Sequence, residues 1–313
     1  MILGTRGSPL ARAQSGWVRD RLLKLSPGLD VSLAIIRTAG DAPGRQSDVD
    51  TGMAEDGVGI FVRELEAALH DGRIDLAVHS LKDLPTTQPE GLTIAAVPSR
   101  NDPRDLLVTR EGLDLSGLPE GASVGTGSPR RAAQILASRP GLRIVPMRGN
   151  VDTRIRLMME GRCDALVLAA AGLSRLGYAP GAGPHGARTS LLDPGSFLPA
   201  PGQGALALEV RSGDTAVEAS VAPLHDAAAG AEVTAERAFL EGVGGGCRAP
   251  VAALGAHHEG RLRLTGLVAL PDGSRLVRVE GDGDPGEAAA LGRRLAGEAM
   301  ERGAGALLAA ARR

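Results

Sequence analysis

An α/β chain made of two similar lobes and a small C-terminal α+β domain is what the sequence predicts, and three observations predict it. A strand–loop–helix junction occurs twice: residues 1–3 lead through Gly7-Ser8-Pro9 into a helical stretch, and 123–126 lead through Gly127-Ser128-Pro129 into another. The string Gly72-Arg73-Ile74-Asp75-Leu76-Ala77-Val78 is mirrored by Gly161-Arg162-Cys163-Asp164-Ala165-Leu166-Val167, each copy after a short helix and before a loop. From about 225 onward the pattern changes to a helix, three strand-like runs with tight turns, and a closing helix. Two echoes in the same order indicate two βαβ-rich lobes.

The elements follow in order. Ser8 is a good N-cap and Pro9 suits the first helical position, so a helix runs to about Leu25 with Ala13, Trp17 and Leu22 on one face. Residues 31–36 read as a second strand, 42–59 as a mobile Gly- and Asp-rich loop, and 61–69 as a helix with Phe61, Leu65, Ala68 and Leu69 apolar. The run 75–78 is apolar and too short for a helix, so it reads as a buried strand, which Pro85 keeps from continuing. Residues 94–97 begin a crossing, and Asn101-Asp102-Pro103-Arg104 is a turn at a domain boundary. Pro199-Ala200-Pro201-Gly202-Gln203-Gly204 reads as a hinge, and 205–210 as a strand returning to the first lobe. The expected domains are 1–100 with 200–222, then 101–199, then 223–313. In the last, 234–242 is helical, and strands near 251–257, 262–270 and 275–280 are joined by His258-Glu259-Gly260 and Pro271-Asp272-Gly273 turns. The tract 178–189 reads as a surface loop.

Composition narrows the function classes. Among 313 residues, Lys+Arg 35 against Asp+Glu 37 gives net charge -2, which implies no bulk attraction to nucleic acid. Aromatics at 2% leave almost no platform for stacking single strands. Cys163 and Cys247 are no disulfide framework and suit a reducing compartment. The N-terminal residues Met1-Ile2-Leu3-Gly4-Thr5-Arg6 lack a signal-peptide core, and the longest apolar run, 165–171, is too short to span a bilayer. A cytoplasmic protein without membrane or nucleic-acid partners is expected, with monomer as the default state.

The chemistry-bearing residues sit at strand ends. His79, Ser80, Lys82 and Asp83 follow the buried strand at its carboxyl end, where open α/β sheets bind ligands. Only two lysines occur, Lys24 and Lys82, which sets Lys82 apart. Each Gly-Ser-Pro helix start exposes N–H groups and a positive dipole end, and Arg6 adds a full charge to the first. Arg130, Arg131, Arg148, Arg154 and Arg175 recur at loop positions of the second lobe. Arginine favours bidentate carboxylate or phosphate recognition, so several together could hold a polyanion in a cleft between lobes. Neither a Walker loop nor a Gly-x-Gly-x-x-Gly follows a strand, so nucleotide phosphate is not favoured over carboxylate. Three glycines before Cys247 leave its sulfur uncovered, and Arg248 favours the thiolate, which makes Cys247 a nucleophile or an attachment point. Cys163, in an apolar run, reads as core. No zinc-ligand spacing is present, and no metal is expected.

Six strings, taken together, closely resemble the porphobilinogen deaminase (hydroxymethylbilane synthase) family: Thr5-Arg6-Gly7-Ser8-Pro9-Leu10-Ala11; Val78-His79-Ser80-Leu81-Lys82-Asp83-Leu84-Pro85; Asp102-Pro103-Arg104-Asp105; Arg148-Gly149-Asn150-Val151-Asp152-Thr153-Arg154; Pro201-Gly202-Gln203-Gly204-Ala205; and Gly244-Gly245-Gly246-Cys247. The resemblance runs the length of the chain. It implies two periplasmic-binding-protein-like lobes and a third domain, and a dipyrromethane cofactor held by a thioether to Cys247. It implies an enzyme that joins four porphobilinogen units head to tail, releasing ammonia and a linear hydroxymethylbilane. Each pyrrole carries two carboxylates, and deamination creates a cationic azafulvene-like electrophile. Asp83 is then the candidate to stabilise that cation and manage protons. By the same resemblance Arg6, Ser8, Ser80, Lys82, Thr126, Ser128, Arg130, Arg131, Arg148, Arg154 and Arg175 match positions that hold cofactor or substrate.

Two departures stand out. Many family members carry lysines before the Phe61 helix, where this chain has Ala54-Glu55-Asp56-Gly57-Val58-Gly59, and Pro129 replaces a common aliphatic residue. A two-lobed fold also hosts solute-binding modules, and a thiol-dependent transferase would use Cys247 in every cycle. Those readings predict, respectively, an unmodified thiol and a transient one.

Overall fold

The computed structural model describes residues 1–36, 60–246 and 249–311. The Gly- and Asp-rich segment 42–59, with the basic-residue departure it contains, and Cys247 therefore lie outside the described residues. The elements are β1 (Ile2–Thr5), α1 (Pro9–Leu25), β2 (Ser32–Ile35), α2 (Ile60–His70), β3 (Leu76–Ser80), β4 (Leu92–Ala96), β5 (Asp105–Thr109), β6 (Ser123–Gly125), α3 (Pro129–Ser138), β7 (Arg143–Val145), α4 (Val151–Met159), β8 (Ala165–Ala169), α5 (Ala170–Arg175) and β9 (Arg188–Leu191). They continue as β10 (Leu206–Arg211), α6 (Thr215–Val221), α7 (Ala227–Gly242), β11 (Val251–His258), β12 (Arg261–Ala269), β13 (Leu276–Gly283), α8 (Ala288–Glu301) and α9 (Ala304–Ala311). Two compact units emerge: Met1–Asn101 with Ala205–Gly230, and Asp102–Gly204 with Ala231–Arg313.

The first unit is built on a sheet of order β2-β1-β3-β10-β4, in which β10 runs antiparallel to β3 and β4. The second holds a sheet of order β7-β6-β8-β5-β9, in which β5 runs antiparallel to β8 and β9. The two sheets match strand for strand, and the fold is α/β with two lobes of the same sheet topology. The echo around Asp75 and Asp164 has a physical cause. Each aspartate stands one residue before its strand, and its carboxylate accepts a 2.7 Å bond from the first N–H of the neighbouring parallel strand, Ile2 N for Asp75 and Ser123 N for Asp164. Gly72 and Gly161 precede them with φ of +68° and +94°, the left-handed turn that lets the chain leave its helix and enter the sheet. Gly4 and Gly125 sit where a Cβ would overlap Ile74 and Leu166 respectively, so close packing against each returning strand explains a glycine there.

One expectation is corrected in detail. The buried stripe of α1 is Gln14, Ser15, Val18 and Leu22, and Ala13 and Trp17 lie at its margin. Trp17 stays half-exposed under the Arg21 guanidinium, 5.1 Å from the ring centroid, while Gln14 goes inward because its Nε2 donates to Ser80 Oγ at 2.8 Å. Cys163 is core, 2% exposed, and burial pushes its thiol up to about 11.

The C-terminal sheet is a three-stranded antiparallel meander, β11-β12-β13, with α7, α8 and α9 packed on it. Its centre is Phe239 with Val251, Leu262, Leu264, Val268, Leu295 and Leu307. Glu259 and Gly260, at φ of 49° and 78°, make the tight β11–β12 turn. Within the second unit this domain lies against the lobe: Ala252, Leu267 and Ala269 share a cluster with Ala133 of α3 and Leu198.

Candidate active site

In the first unit, parallel pairing of β1 with β3 (Leu3 opposite Leu76, Gly4 opposite Ala77) puts both carboxyl ends on one edge. Arg6 and Ser8 follow β1 there, and Ser8 Oγ caps α1 by accepting from Ala11 N at 3.3 Å. Ser80 ends β3 and accepts from Gln14 Nε2 at 2.8 Å. The chain then makes one tight turn, Leu81–Asp83, held by Leu81 N donating to Ala205 O at 3.1 Å and Leu84 N donating to Leu81 O at 3.1 Å. Leu81 and Leu84 are buried, so the turn is pinned from below; Lys82 is half-buried and Asp83 is exposed. A rigid turn that presents a carboxylate to solvent beside an ammonium suits proton handling and cation stabilisation.

In the second unit, Thr126 and Ser128 follow the carboxyl end of β6. Ser128 Oγ caps α3 by accepting from Arg131 N at 3.4 Å, and Thr126 Oγ1 accepts from Ser128 N at 3.1 Å. Arg130 and Arg131, whose positions in the sequence suggested open carboxylate holders, are buried. Arg130 Nη1 donates to Asp105 Oδ2 (2.7 Å) and to Leu198 O (2.6 Å). Arg131 donates to Asp105 Oδ1 through Nε (3.1 Å) and Nη2 (2.6 Å), and to Val167 O through Nη1 (3.0 Å). Burial alone would raise the Asp105 carboxyl, but the two guanidiniums outweigh it and hold it well below the usual carboxylate range. Gln203 Nε2 completes the knot, donating to Asp105 Oδ1 (2.9 Å) and Pro103 O (2.7 Å).

The remaining arginines differ. Arg148 is exposed beyond β7. Arg154, in the first half of α4, is brought down to about 10 by burial and by the neighbouring Arg131 charge, and its Nε has no hydrogen-bond partner. Arg175 ends α5, donates to Gly204 O at 2.6 Å, and burial alone brings it down to about 10. Among the described residues no carboxylate pairs with Arg154 or Arg175. Desolvated cations without a counter-ion await an anion.

Three buried acids went unread in the sequence: Asp105, Glu209 and Glu236. Glu236 accepts from Gly202 N at 2.6 Å and from Gly255 N at 2.8 Å. Glu209 lies 3.0 Å from His79. A single acid at the head of, or inside, an apolar run (Asp105-Leu106-Leu107-Val108; Leu206-Ala207-Leu208-Glu209-Val210) was the available signal.

Residues 1–219 match the family model described as porphobilinogen deaminase, dipyromethane cofactor binding domain, and residues 231–301 match the porphobilinogen deaminase C-terminal domain. The chain belongs to the porphobilinogen deaminase family. The porphobilinogen deaminase of Roseiflexus sp. strain RS-1 is 49% identical over 311 residues, covering 99% of this chain and 98% of that protein. That of Thermus thermophilus is 48% identical over 311 residues, with the same coverage of 99% and 98%. Among solved structures, the Bordetella pertussis BvgS periplasmic VFT2 domain is 19% identical and covers 71% of this chain and 85% of its own, with a TM-score of 0.40, a loose overlap that adds nothing to the sheet topology. The porphobilinogen deaminase family's dipyrromethane cofactor is rich in carboxylates, and the donors present fit such a group: two sheltered guanidiniums without an acid partner among the described residues, an exposed one, and the capped start of α3.

Proposed function

We propose that this chain is the transferase that joins four porphobilinogen molecules head to tail into linear hydroxymethylbilane with release of ammonia, primed by a dipyrromethane cofactor attached to Cys247. The observation that carries this reading is the pair of sheltered guanidiniums, Arg154 and Arg175, without an acid partner among the described residues. They, with Arg6, Arg148, Ser8, Ser80, Thr126 and Ser128, bind carboxylates of substrate and cofactor. Arg130 and Arg131 contribute through the field of a cluster that keeps one net positive charge after Asp105 is counted. Lys82 adds an ammonium beside the catalytic turn.

When bound, the cofactor supplies the nucleophilic pyrrole carbon that starts each chain. Asp83 does the acid–base work. Its carboxylic acid form hands a proton to the departing amine, the carboxylate so formed stabilises the positive charge left when ammonia goes, and the ring proton released after coupling returns to it. Its exposure on a turn fixed by buried leucines gives substrate access without freedom of position. Cys247 serves as an anchor and does not turn over. Balanced charge and a sequence of only two cysteines, too few for a disulfide framework, support a monomeric cytoplasmic enzyme.

Intact mass of the purified chain tests the reading. The wild type should carry the added mass of two linked pyrrole units and Cys247→Ala should not. An unmodified wild-type thiol would sink it and is the outcome a pure binding module predicts. Loss of the adduct on each turnover would favour a thiol-dependent transferase.

A further inference from the structure

The C-terminal meander touches the arginine-bearing helix at one unusually close point. The β12–β13 turn, Pro271-Asp272-Gly273-Ser274, brings Gly273 against the backbone of α3. A Cβ on Gly273 would stand 2.5 Å from both Ala133 O and Ala137 N, where ordinary contact begins near 3.4 Å. Gly273 also has φ of +72°. The turn cannot easily retreat, because three bonds fix it: Leu270 N to Arg275 O at 2.9 Å, Gly273 N to Leu270 O at 3.0 Å, and Ser274 N to Asp272 Oδ1 at 3.0 Å. On α3 the same contact lies one turn beyond Arg130 and Arg131, whose bonds to Asp105 are as short as 2.6 Å. A helix moves as a rod, so pushing its middle displaces the Ser128 cap and both guanidiniums together.

We infer that the 271–274 turn is a positioning contact for the active site: the C-terminal domain sets where α3 presents its capped amino end and its arginines, in addition to bearing the anchoring thiol. This deepens the proposed function and rests on its reading that the start of α3 helps to hold the cofactor. The sequence signal was the Pro-Asp-Gly turn itself, which looks like an ordinary hairpin connection until its neighbour is known.

The molecule supplies a matched control. Gly260, in the β11–β12 turn, has φ of +78° and nothing within 4 Å of an added Cβ. Gly273→Ala and Gly260→Ala therefore impose the same left-handed strain, and only the first meets α3. Both variants should be made as the full chain and purified without selection for bound cofactor, beside wild-type holoenzyme. The readouts are the fraction carrying cofactor by intact mass, kcat and KM for porphobilinogen, and hydrogen exchange of the 129–138 amides.

Gly273→Ala should show faster exchange in α3, a lower cofactor-bearing fraction, and kcat reduced roughly ten- to a hundredfold, the scale of an ångström-sized misplacement. Gly260→Ala should match wild type in all three. Gly273→Val should enlarge the effect; if it fails to fold, the alanine pair alone decides. Equal behaviour of the two alanine variants overturns the inference. So does loosened α3 with unchanged loading and turnover, and Arg131→Gln then locates the fault. If Arg131→Gln sheds cofactor, the turn is irrelevant to it; if Arg131→Gln retains cofactor, the reading of α3 is what failed.

Discussion

The carboxylate of Glu209 lies 3.0 Å from Nε2 of His79, with both side chains sealed from solvent at 0% and 4% exposure. Ala207 is opposite His79 in the antiparallel register, so Glu209 is its diagonal neighbour on the same face of β10. The pair fastens β10 to β3 just before β3 gives way to the turn that carries Asp83. Glu209 Oε1 has no hydrogen-bond partner, and burial together with the Glu209 charge pushes the Glu66 carboxyl up, against the opposing effect of His79, His70 and Arg63.

Breaking that pair from one side leaves a buried carboxyl group without its partner. His79→Leu should cost about 3–5 kcal/mol in urea unfolding, whereas His79→Leu with Glu209→Leu should cost less than the single change. A double variant worse than His79→Leu would show that the pair contributes net stability of its own.

Asp83 should separate stability from chemistry. Its side chain is exposed, so Asp83→Ala should change unfolding free energy by no more than about 0.5 kcal/mol. Turnover of porphobilinogen should fall on the order of 10²- to 10⁴-fold. Substantial remaining turnover would remove Asp83 from its role.

Acid should loosen the second unit through Asp105. Its folded pKa is depressed, so the stability it contributes is fully present above the ordinary aspartate value, about 3.9, and is lost as pH falls below that toward its depressed value. Asp105→Asn should be less stable than wild type at neutral pH, with the gap narrowing below about pH 4 in a urea titration. A gap constant with pH would rule out ion pairing as the source.

Arg154 runs the other way. Its folded pKa, about 10, lies below the usual arginine value, so the folded state disfavours its charged form, and stability should rise as pH climbs above 10. In the Cys247→Ala background, which on the proposed anchoring carries no cofactor, Arg154→Met should stabilise by about 1 kcal/mol. With Cys247 intact it should lower the cofactor-bearing fraction. A destabilised Arg154→Met chain in the first test would point to a partner inside the protein.

Much of the fold was legible because it is local chemistry. Ser-Pro helix starts, Gly-containing turns and short apolar strands each announce themselves within a few residues, and both Gly-Ser-Pro junctions fold into capped helices, α1 and α3. The strand order was harder, since β10 pairs with β3 across more than a hundred residues. Asn101 to Arg104 read as a turn, and nothing in that string says that Asp105, next in the chain, opens a buried strand and gathers two arginines from α3. Arg130 and Arg131 therefore looked like open carboxylate holders. Their partner lies 25 and 26 residues away, beyond any periodicity argument. Gly273 shows the same limit, because its constraint comes from a helix it does not adjoin in sequence.

The matched aspartates at 75 and 164 make each lobe a yardstick for the other. A substitution at either place removes the same pair of atoms from the same kind of strand junction, in one chain, at one temperature and one ionic strength. Any inequality between the two outcomes must then come from what surrounds the junction, such as the guanidinium of Arg211 beside Asp75 or the Ser123 hydroxyl beside Asp164. The cost of that shared hydrogen bond becomes measurable without recourse to a second protein.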